Sequence, residues 1–227
     1  MFVYQNKNGE ICVTFRDNKP VKSPEYVITV DDKEKTVLIN GGAEGAYEVR
    51  QVEEDVVYET AETITSAVSV NIAKNVVISI PEDTDGSGVY HVTRGGSLVI
   101  DGEGTINGVG KNDYNMALWA DGGNITVNGG TITNVGATAA VDSAHFDLVY
   151  AKNGSTVIIN GGYFECETPK WTLNLNDKNP GRIIVRGGTF YDFDPSKAET
   201  EPGGLYNFVD DGYKVVKNGK LYTVVKE

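Results

Sequence analysis

Cysteine, histidine, basic residues and long apolar runs are all scarce in this chain. Each shortage argues against particular structural features or functions. Among 227 residues there are two cysteines, Cys12 and Cys166, and two histidines. The cysteines show neither a CxxC pair nor metal-ligand spacing, so we expect reduced thiols and no disulfide framework. No run reaches about 18 apolar residues, so no membrane-spanning segment is predicted.

The shortage of basic residues bears on partners. Lys and Arg number 20 against 32 Asp and Glu, which gives a formal net charge of −12. Nucleic-acid binding requires clustered cations, so this balance disfavours it. The first residues, "MFVYQNKNGE", have no basic n-region, apolar h-region or cleavage site. We therefore expect synthesis and residence in the cytoplasm, or release without a signal peptide.

Glycine and β-forming residues are plentiful. There are 27 glycines without a collagen period, and Val, Ile, Thr and Tyr dominate the apolar runs. Tight turns between short strands fit both observations. The composition predicts an all-β protein with one sizeable core.

A repeated unit explains this composition. Four segments share an apolar strand followed by a glycine turn and Thr-Ile or an aromatic: "SLVIDGEGTING", "NITVNGGTITN", "TVIINGGYFEC" and "RIIVRGGTFYD". They begin at Ser97, Asn124, Thr156 and Arg182, roughly 30 residues apart, and another apolar run precedes each. Short strands at this period predict the coils of a parallel β-helix.

Alignment of the units assigns side chains to faces. Three inward columns are predicted: Leu98, Ile125, Val157 and Ile183; Ile100, Val127, Ile159 and Val185; and Ile106, Ile132, Phe164 and Phe190. A turn column contains Asp101, Asn128, Asn160 and Arg186, where Asn and Asp suit a left-handed bend and neighbouring side chains can form a ladder.

The outward positions of the repeated strand are unusually apolar. They are Val99, Thr126, Ile158 and Ile184. A continuous apolar strip indicates burial, either against another molecule or under a loop of the same chain. We predict an oligomer interface at Val99, Ile158 and Ile184.

Both ends of the chain depart from the repeat. We predict a small β module with hairpins over residues 1–50 and a connector over residues 51–67. The acidic stretch 46–66 holds either a short helix or an entry strand. The β-helix spans residues 68–194. Residues 195–227 contain two strand patterns around Asn218-Gly219, which predict a capping hairpin.

The repeated units resemble pectate-lyase-like right-handed parallel β-helix proteins. The tail "FVDDGYKVVKNGKLYTVV", after "FDPS" at 193–196, is similar to a segment of β-helix proteins from gut bacteria and their tailed phages. Together with the N-terminal module, the chain resembles phage head-fibre or capsid-decoration proteins. That resemblance implies attachment of residues 1–50 to a major or auxiliary capsid protein. It also implies a projecting homotrimer on the virion exterior, made in the host cytoplasm.

Catalytic patterns are weak. A β-helix lyase needs acidic Ca²⁺ ligands beside a basic residue, and the candidates are Asp101, Asp121, Asp142, Asp147, Arg94, Arg182 and Arg186. A glycosidase needs two carboxylates about 5–10 Å apart, but the Asp-Asp pairs at 31–32 and 210–211 lie in predicted turns. His91 and His145 have no triad or zinc partner at useful spacing. We expect no enzyme activity, metal or cofactor.

Three aromatic residues leave a binding role open. Trp119, Tyr150 and Trp171 precede three successive units, and they either stack on glycans from outside or bury in a core or interface. The resemblance therefore implies a structural virion protein that attaches through residues 1–50 and projects a trimeric β-helix, with host or glycan adhesion as an additional role. The alternatives are a carbohydrate-binding bacterial surface adhesin and a β-helix polysaccharide lyase or hydrolase.

Overall fold

The computed structural model describes residues 47–81, 88–109, 116–137 and 146–227 in full, and the backbone of residues 2–5, 11–14, 27–31 and 36–40. The strands of the first part of the chain are β1 (Phe2–Gln5), β2 (Ile11–Thr14), β3 (Val27–Asp31), β4 (Thr36–Asn40), β5 (Glu48–Val52), β6 (Val56–Val57) and β7 (Glu62–Ile64). Of the two possibilities for residues 46–66, helix or strand, the structure shows strands, because the described residues 47–66 contain β5, β6 and β7.

The repeated region contains strands in sets of three. They are β8 (Ala67–Ile72), β9 (Val77–Ser79), β10 (Tyr90–Thr93), β11 (Ser97–Gly102), β12 (Thr105–Asn107), β13 (Leu118–Asp121), β14 (Asn124–Val127), β15 (Thr131–Thr133), β16 (Val149–Lys152), β17 (Thr156–Ile159), β18 (Tyr163–Glu165), β19 (Leu173–Leu175), β20 (Arg182–Val185) and β21 (Thr189–Tyr191). One 3-10 turn, Pro169–Trp171, precedes β19. The last strands are β22 (Ala198–Glu199), β23 (Leu205–Tyr206), β24 (Tyr213–Asn218) and β25 (Leu221–Lys226).

Three long sheets wrap around one core as a right-handed parallel β-helix. The first sheet has the order β20-β17-β14-β11-β8-β5-β4-β3, and the second β24-β25-β21-β18-β15-β12-β9-β6. The third sheet has the order β19-β16-β13-β10-β7. Each coil passes through the first, second and third sheets in turn, and successive coils pair in parallel. The predicted fold class is confirmed.

The predicted inward columns form the core. Register pairs Leu98 with Ile125 and Ile106 with Ile132, and all twelve predicted residues are buried. The third sheet adds Tyr90, Leu118, Val149 and Leu173 from the opposite side. Each rung therefore packs on the rung before and after it, as a solenoid requires.

The turn column is a hydrogen-bonded ladder. Asn160 Nδ2 donates to Asn128 Oδ1 at 2.9 Å, and Asn128 Nδ2 donates to Asp101 Oδ1 at 2.9 Å. The predicted left-handed bend at Asn and Asp is wrong, because Gly130 and Gly162 adopt it, with φ of 82° and 101°. The preceding glycine has another role, because a Cβ on Gly161 would clash with the Asn128 carbonyl oxygen of the neighbouring coil.

The ends of the helix are built differently. At the N-terminal end β5 pairs in parallel with β8 and antiparallel with β4, which continues to β3. At the C-terminal end β25 pairs antiparallel with β21 and with β24, so the predicted hairpin cap is confirmed. The N-terminal hairpin β1–β2 is confirmed as an antiparallel pair. The domain boundaries at 50, 67 and 194 stay predictions.

Candidate functional site

The third sheet positions two of the predicted aromatics side by side. Its outward positions in register are Thr63, His91, Trp119, Tyr150 and Asn174, which we call the outer row. Trp119 and Tyr150 are both partly exposed. Trp171 lies outside the row, at the end of the 3-10 turn, where Lys170 Nζ is 5.0 Å from its ring centroid. The stacking role of the three residues stays a prediction.

Trp119 lies between side chains of the neighbouring coils. The His91 ring stacks on it with centroids 3.7 Å apart and planes 7° from parallel. From the following coil, Lys152 Nζ lies 4.4 Å from the Trp119 centroid. Since β10 and β16 flank β13, these contacts occupy the ring faces that a sugar would stack on. The indole Nε1 is buried and has no hydrogen-bond partner.

Asp121 contacts polar side chains of both neighbouring coils. Its Oδ2 lies 3.3 Å from His91 Nε2 and 3.2 Å from Lys152 Nζ, and its Oδ1 accepts from Asn153 Nδ2 at 2.6 Å. Partial burial raises the pKa of Asp121, but the hydrogen bonds from Asn153, His91 and Lys152 outweigh it, so the pKa is lowered. Asp121 is therefore an ionised partner of the row, an unsuitable state for a general acid.

A second polar network lies at the C-terminal end of the outer row. The buried Asn174 Nδ2 donates to Asp147 Oδ1 at 2.8 Å and to Glu201 Oε1 at 3.1 Å. Tyr150 donates its hydroxyl to Glu201 and accepts from Asn176. Burial raises the pKa of Tyr150, and the Glu201 carboxylate adds to this while Asn176 opposes it. Asp147 is 0% exposed, so no substrate reaches this carboxylate.

The other lyase and hydrolase candidates are dispersed. Asp101 belongs to the ladder, while Arg186 Nε donates to Asp210 Oδ2 at 2.7 Å. Asp142 and His145 lie outside the described residues. In the part of the chain that the structure describes, no three His, Cys, Asp or Glu side chains are grouped to hold a metal ion.

Cys166 is a core residue. The Cys166 thiol donates to the Phe146 carbonyl oxygen, and burial raises its pKa to about 12. It is a neutral thiol at physiological pH and therefore a poor nucleophile. Cys12 lies in β2, whose side chains are outside the described residues.

The predicted apolar strip runs along the outer face of the first sheet. Val99, Thr126, Ile158 and Ile184 occupy one register row, with Ser69 before them. Val99 and Ile158 are partly exposed, whereas Ile184 is 9% exposed. Beyond β20, Val209 forms a bridge with Val185, so another segment of the same chain continues this sheet next to Ile184.

Sequence reasoning missed three groups of polar residues. They are the Asp121–Lys152 pair, the Asn174–Glu201 contact and the ion pairs of Arg50 with Glu48 and Glu62. Extending the alignment of the apolar runs by one residue places Asp121 opposite Lys152, a signal of complementary charge. Glu201 lies beyond the repeat, where alignment gives no guidance.

These features define the chain as a right-handed parallel β-helix protein. Comparisons with protein families, curated proteins and solved structures found no match. Among the described residues, no helix has the length and apolar character needed to cross a membrane.

Proposed function

We propose that this protein is a non-enzymatic structural protein of a virion, attached to the capsid exterior through its N-terminal strands and projecting the β-helix outward. The observation that carries the proposal is the continuity of the first sheet. It passes from β3 and β4 into β5 and then into every coil to β20. Attachment at one end is thereby transmitted through backbone hydrogen bonds to the whole rod.

The dimensions and ends suit a projection. Eight strands at about 4.8 Å per step span roughly 34 Å. The far end is covered by the β24–β25 hairpin, which pairs with β21 and removes its free edge. One end of the rod joins further strands and the other end is covered by a hairpin. The two ends therefore differ, which suits a fibre that attaches at one end and projects at the other.

The outer face of the first sheet supports self-association. Two of its outward rows from β8 to β17 are uncharged, and we call them the uncharged face: Ala67, Ser97, Asn124 and Thr156, and Ser69, Val99, Thr126 and Ile158. The charged Asp101 lies at the edge of this face, next to the turn. Charged residues make up 23% of the chain, so a face without them resembles the core of an interface. We propose a homotrimer with this face near its axis, since identical chains usually close by cyclic symmetry.

Light scattering of the full chain tests the assembly. The expected species has three times the mass of one chain, and Val99→Lys with Ile158→Lys should give a folded monomer. Ile184 is left unchanged because its 9% exposure makes a lysine there destabilising in a single chain. Thr131→Lys, on the outward side of the second sheet, is the matched control. A wild-type monomer at micromolar concentration would contradict the trimer.

Attachment needs a separate measurement. Particles purified from a culture that makes this protein should contain it by mass spectrometry. Antibodies against the β-helix should label the particle exterior in electron micrographs. Recovery of the protein only in the fraction free of particles would contradict the virion role, whatever its oligomeric state.

Adhesion is the second role we propose for the projecting rod. The outer row presents partly exposed His91, Trp119 and Tyr150 on the third sheet, away from the uncharged face. Because the Trp119 ring faces are occupied, recognition would use hydrogen bonds along ring edges and neighbouring polar groups. A glycan array with the full chain tests this role, and a reducing-sugar assay on any bound glycan separates adhesion from hydrolysis.

A further inference from the structure

We propose that the corner between the third and first sheets binds an anionic glycan, a sugar chain that bears carboxylate or sulfate groups. Turns that follow β10, β16 and β19 stack at this corner and surround an open pocket of about 610 Å³. Its lining residues are Arg94, Asn153, Gly154, Lys178, Asn179 and Pro180. This site is separate from the uncharged face and goes beyond the structural role.

The charge of the pocket is opposite to that of the protein. Two of the six lining residues are cations and none is acidic, in a chain whose net charge is −12. Arg94 and Lys178 are exposed, and within the described ranges neither forms an ion pair. Cations without an acidic partner attract anions more strongly than cations already neutralised by carboxylates.

The spacing of the cations favours a ligand with several charges. Arg94 follows β10 and Lys178 follows β19, and these strands are three steps apart in the third sheet. Three steps of about 4.8 Å separate the two backbones by roughly 14 Å. Between them the corner carries small groups, and a Cβ on Gly122 would lie 3.5 Å from the Arg94 Cβ. A chain with repeated anionic groups spans this distance better than one inorganic ion.

The remaining lining favours hydroxyl groups on the ligand. Asn153 and Asn179 contribute amides, which both donate and accept hydrogen bonds. Asn153 Nδ2 is held by Asp121 Oδ1 at 2.6 Å, which orients the amide and leaves its carbonyl oxygen as an acceptor. A sugar hydroxyl donates to such an oxygen, whereas a phosphate diester has no proton to donate.

Nucleic acid fits the corner less well. Single-stranded nucleic acids are usually bound by aromatic side chains on which bases stack. The nearby Trp119 ring is contacted by His91 and Lys152 from the flanking coils. The net charge of −12 also repels the dense phosphates of DNA more than a sparsely charged sugar chain.

Isothermal titration calorimetry of the full chain at low salt tests the site. The probes are a sulfated dextran oligosaccharide, a uronic-acid oligosaccharide, neutral dextran of equal length and a single-stranded oligodeoxynucleotide. We expect binding of one or both charged oligosaccharides, which identifies the anion, and none of neutral dextran. Arg94→Ala with Lys178→Ala should weaken binding by about 10-fold or more, because each removes a charge-assisted contact.

The control removes the same charge elsewhere. Lys214→Ala with Lys226→Ala changes two exposed cations on β24 and β25 and should bind like wild type. Circular dichroism and light scattering should show that both double variants keep the fold and assembly, so this result is independent of the oligomer. The proposal is overturned by absent binding, equal binding of neutral dextran, equal loss in the control, or tighter binding of the oligodeoxynucleotide.

Discussion

The two ends of the β-helix close the same core with opposite chemistry. At the N-terminal end Arg50 occupies the inward column next to Val70, and its guanidinium donates to Glu48 at 2.7 Å and Glu62 at 2.9 Å. At the C-terminal end Phe193, Phe208 and Val224 are each at most 5% exposed. At the N-terminal end the inward column of the first sheet thus contains an ion-pair group, beside the partly buried Val52, Val56 and Tyr58. The C-terminal end is sealed with apolar side chains under its hairpin.

The difference between the two ends follows from how each end keeps water from the apolar core. A hydrophobic column that stops without a neighbour exposes apolar area, which costs about 25 cal/mol per Å². The C-terminal hairpin removes that cost directly. The Glu48–Arg50–Glu62 group instead replaces the apolar column with charges that remain partly hydrated, at 26 to 32% side-chain exposure.

A substitution in the apolar core of the C-terminal end should have the largest effect on the free energy of unfolding. Phe190 is 0% exposed and stacks on Phe164 with centroids 4.8 Å apart. Phe190→Ala should lower the free energy of unfolding by about 3 to 5 kcal/mol, since it leaves a cavity under the hairpin. Chemical denaturation measures this loss. Leu205→Ala, at 72% exposure, should change stability by less than about 0.5 kcal/mol, and equal losses would contradict this account of the end.

Breaking the charged end should have a smaller effect that can be reversed. Arg50→Met leaves two carboxylates close together and should cost about 1 to 2 kcal/mol, between the values for surface and buried pairs. Adding Glu48→Leu and Glu62→Leu removes the unpaired charges, so denaturant melts should show stability recovered to at least the wild-type value. A triple variant weaker than Arg50→Met would show that the ion pairs stabilise this end in themselves.

A substitution at Asp121, in the middle of the helix, should have the smallest effect on the free energy of unfolding. The size of this effect depends on pH. The pKa of Asp121 is lowered in the folded chain, so its contribution is present above its unfolded pKa of about 3.9 and is lost as pH falls through the folded pKa. Asp121→Asn should therefore cost up to about 1 kcal/mol near pH 6, and less as the pH approaches 3. Urea melts of both proteins at the two pH values check this, and a gap that widens in acid would contradict it.

The sequence predicted the fold because its repeat fixes the register. Once Leu98, Ile125, Val157 and Ile183 are aligned, alternation of side chains assigns every inward column. The same alignment could not say which residue of Asn-Gly-Gly takes the left-handed bend. The close approach of the adjacent coil decides which residue adopts this conformation. That approach depends on the spacing of the coils in three dimensions.

The site was less predictable because it depends on irregular segments. Arg50 lies where no double glycine marks a unit, so nothing in the sequence placed it opposite Val70. Arg94 and Lys178 come from turns of different length, and only the folded helix brings them to one pocket. The outer row was visible in part, since Trp119 and Tyr150 occupy matching positions of their units.

The glycine turns also make the length of this protein adjustable. Residues 156–181 carry a complete coil, with its own inward side chains, its close-approach Gly161 and its left-handed Gly162. Because a coil contacts only its neighbours, a duplicated copy would bring every feature needed to be stacked again. A rod built this way grows in increments of about 4.8 Å, so reach can change while both ends remain as they are.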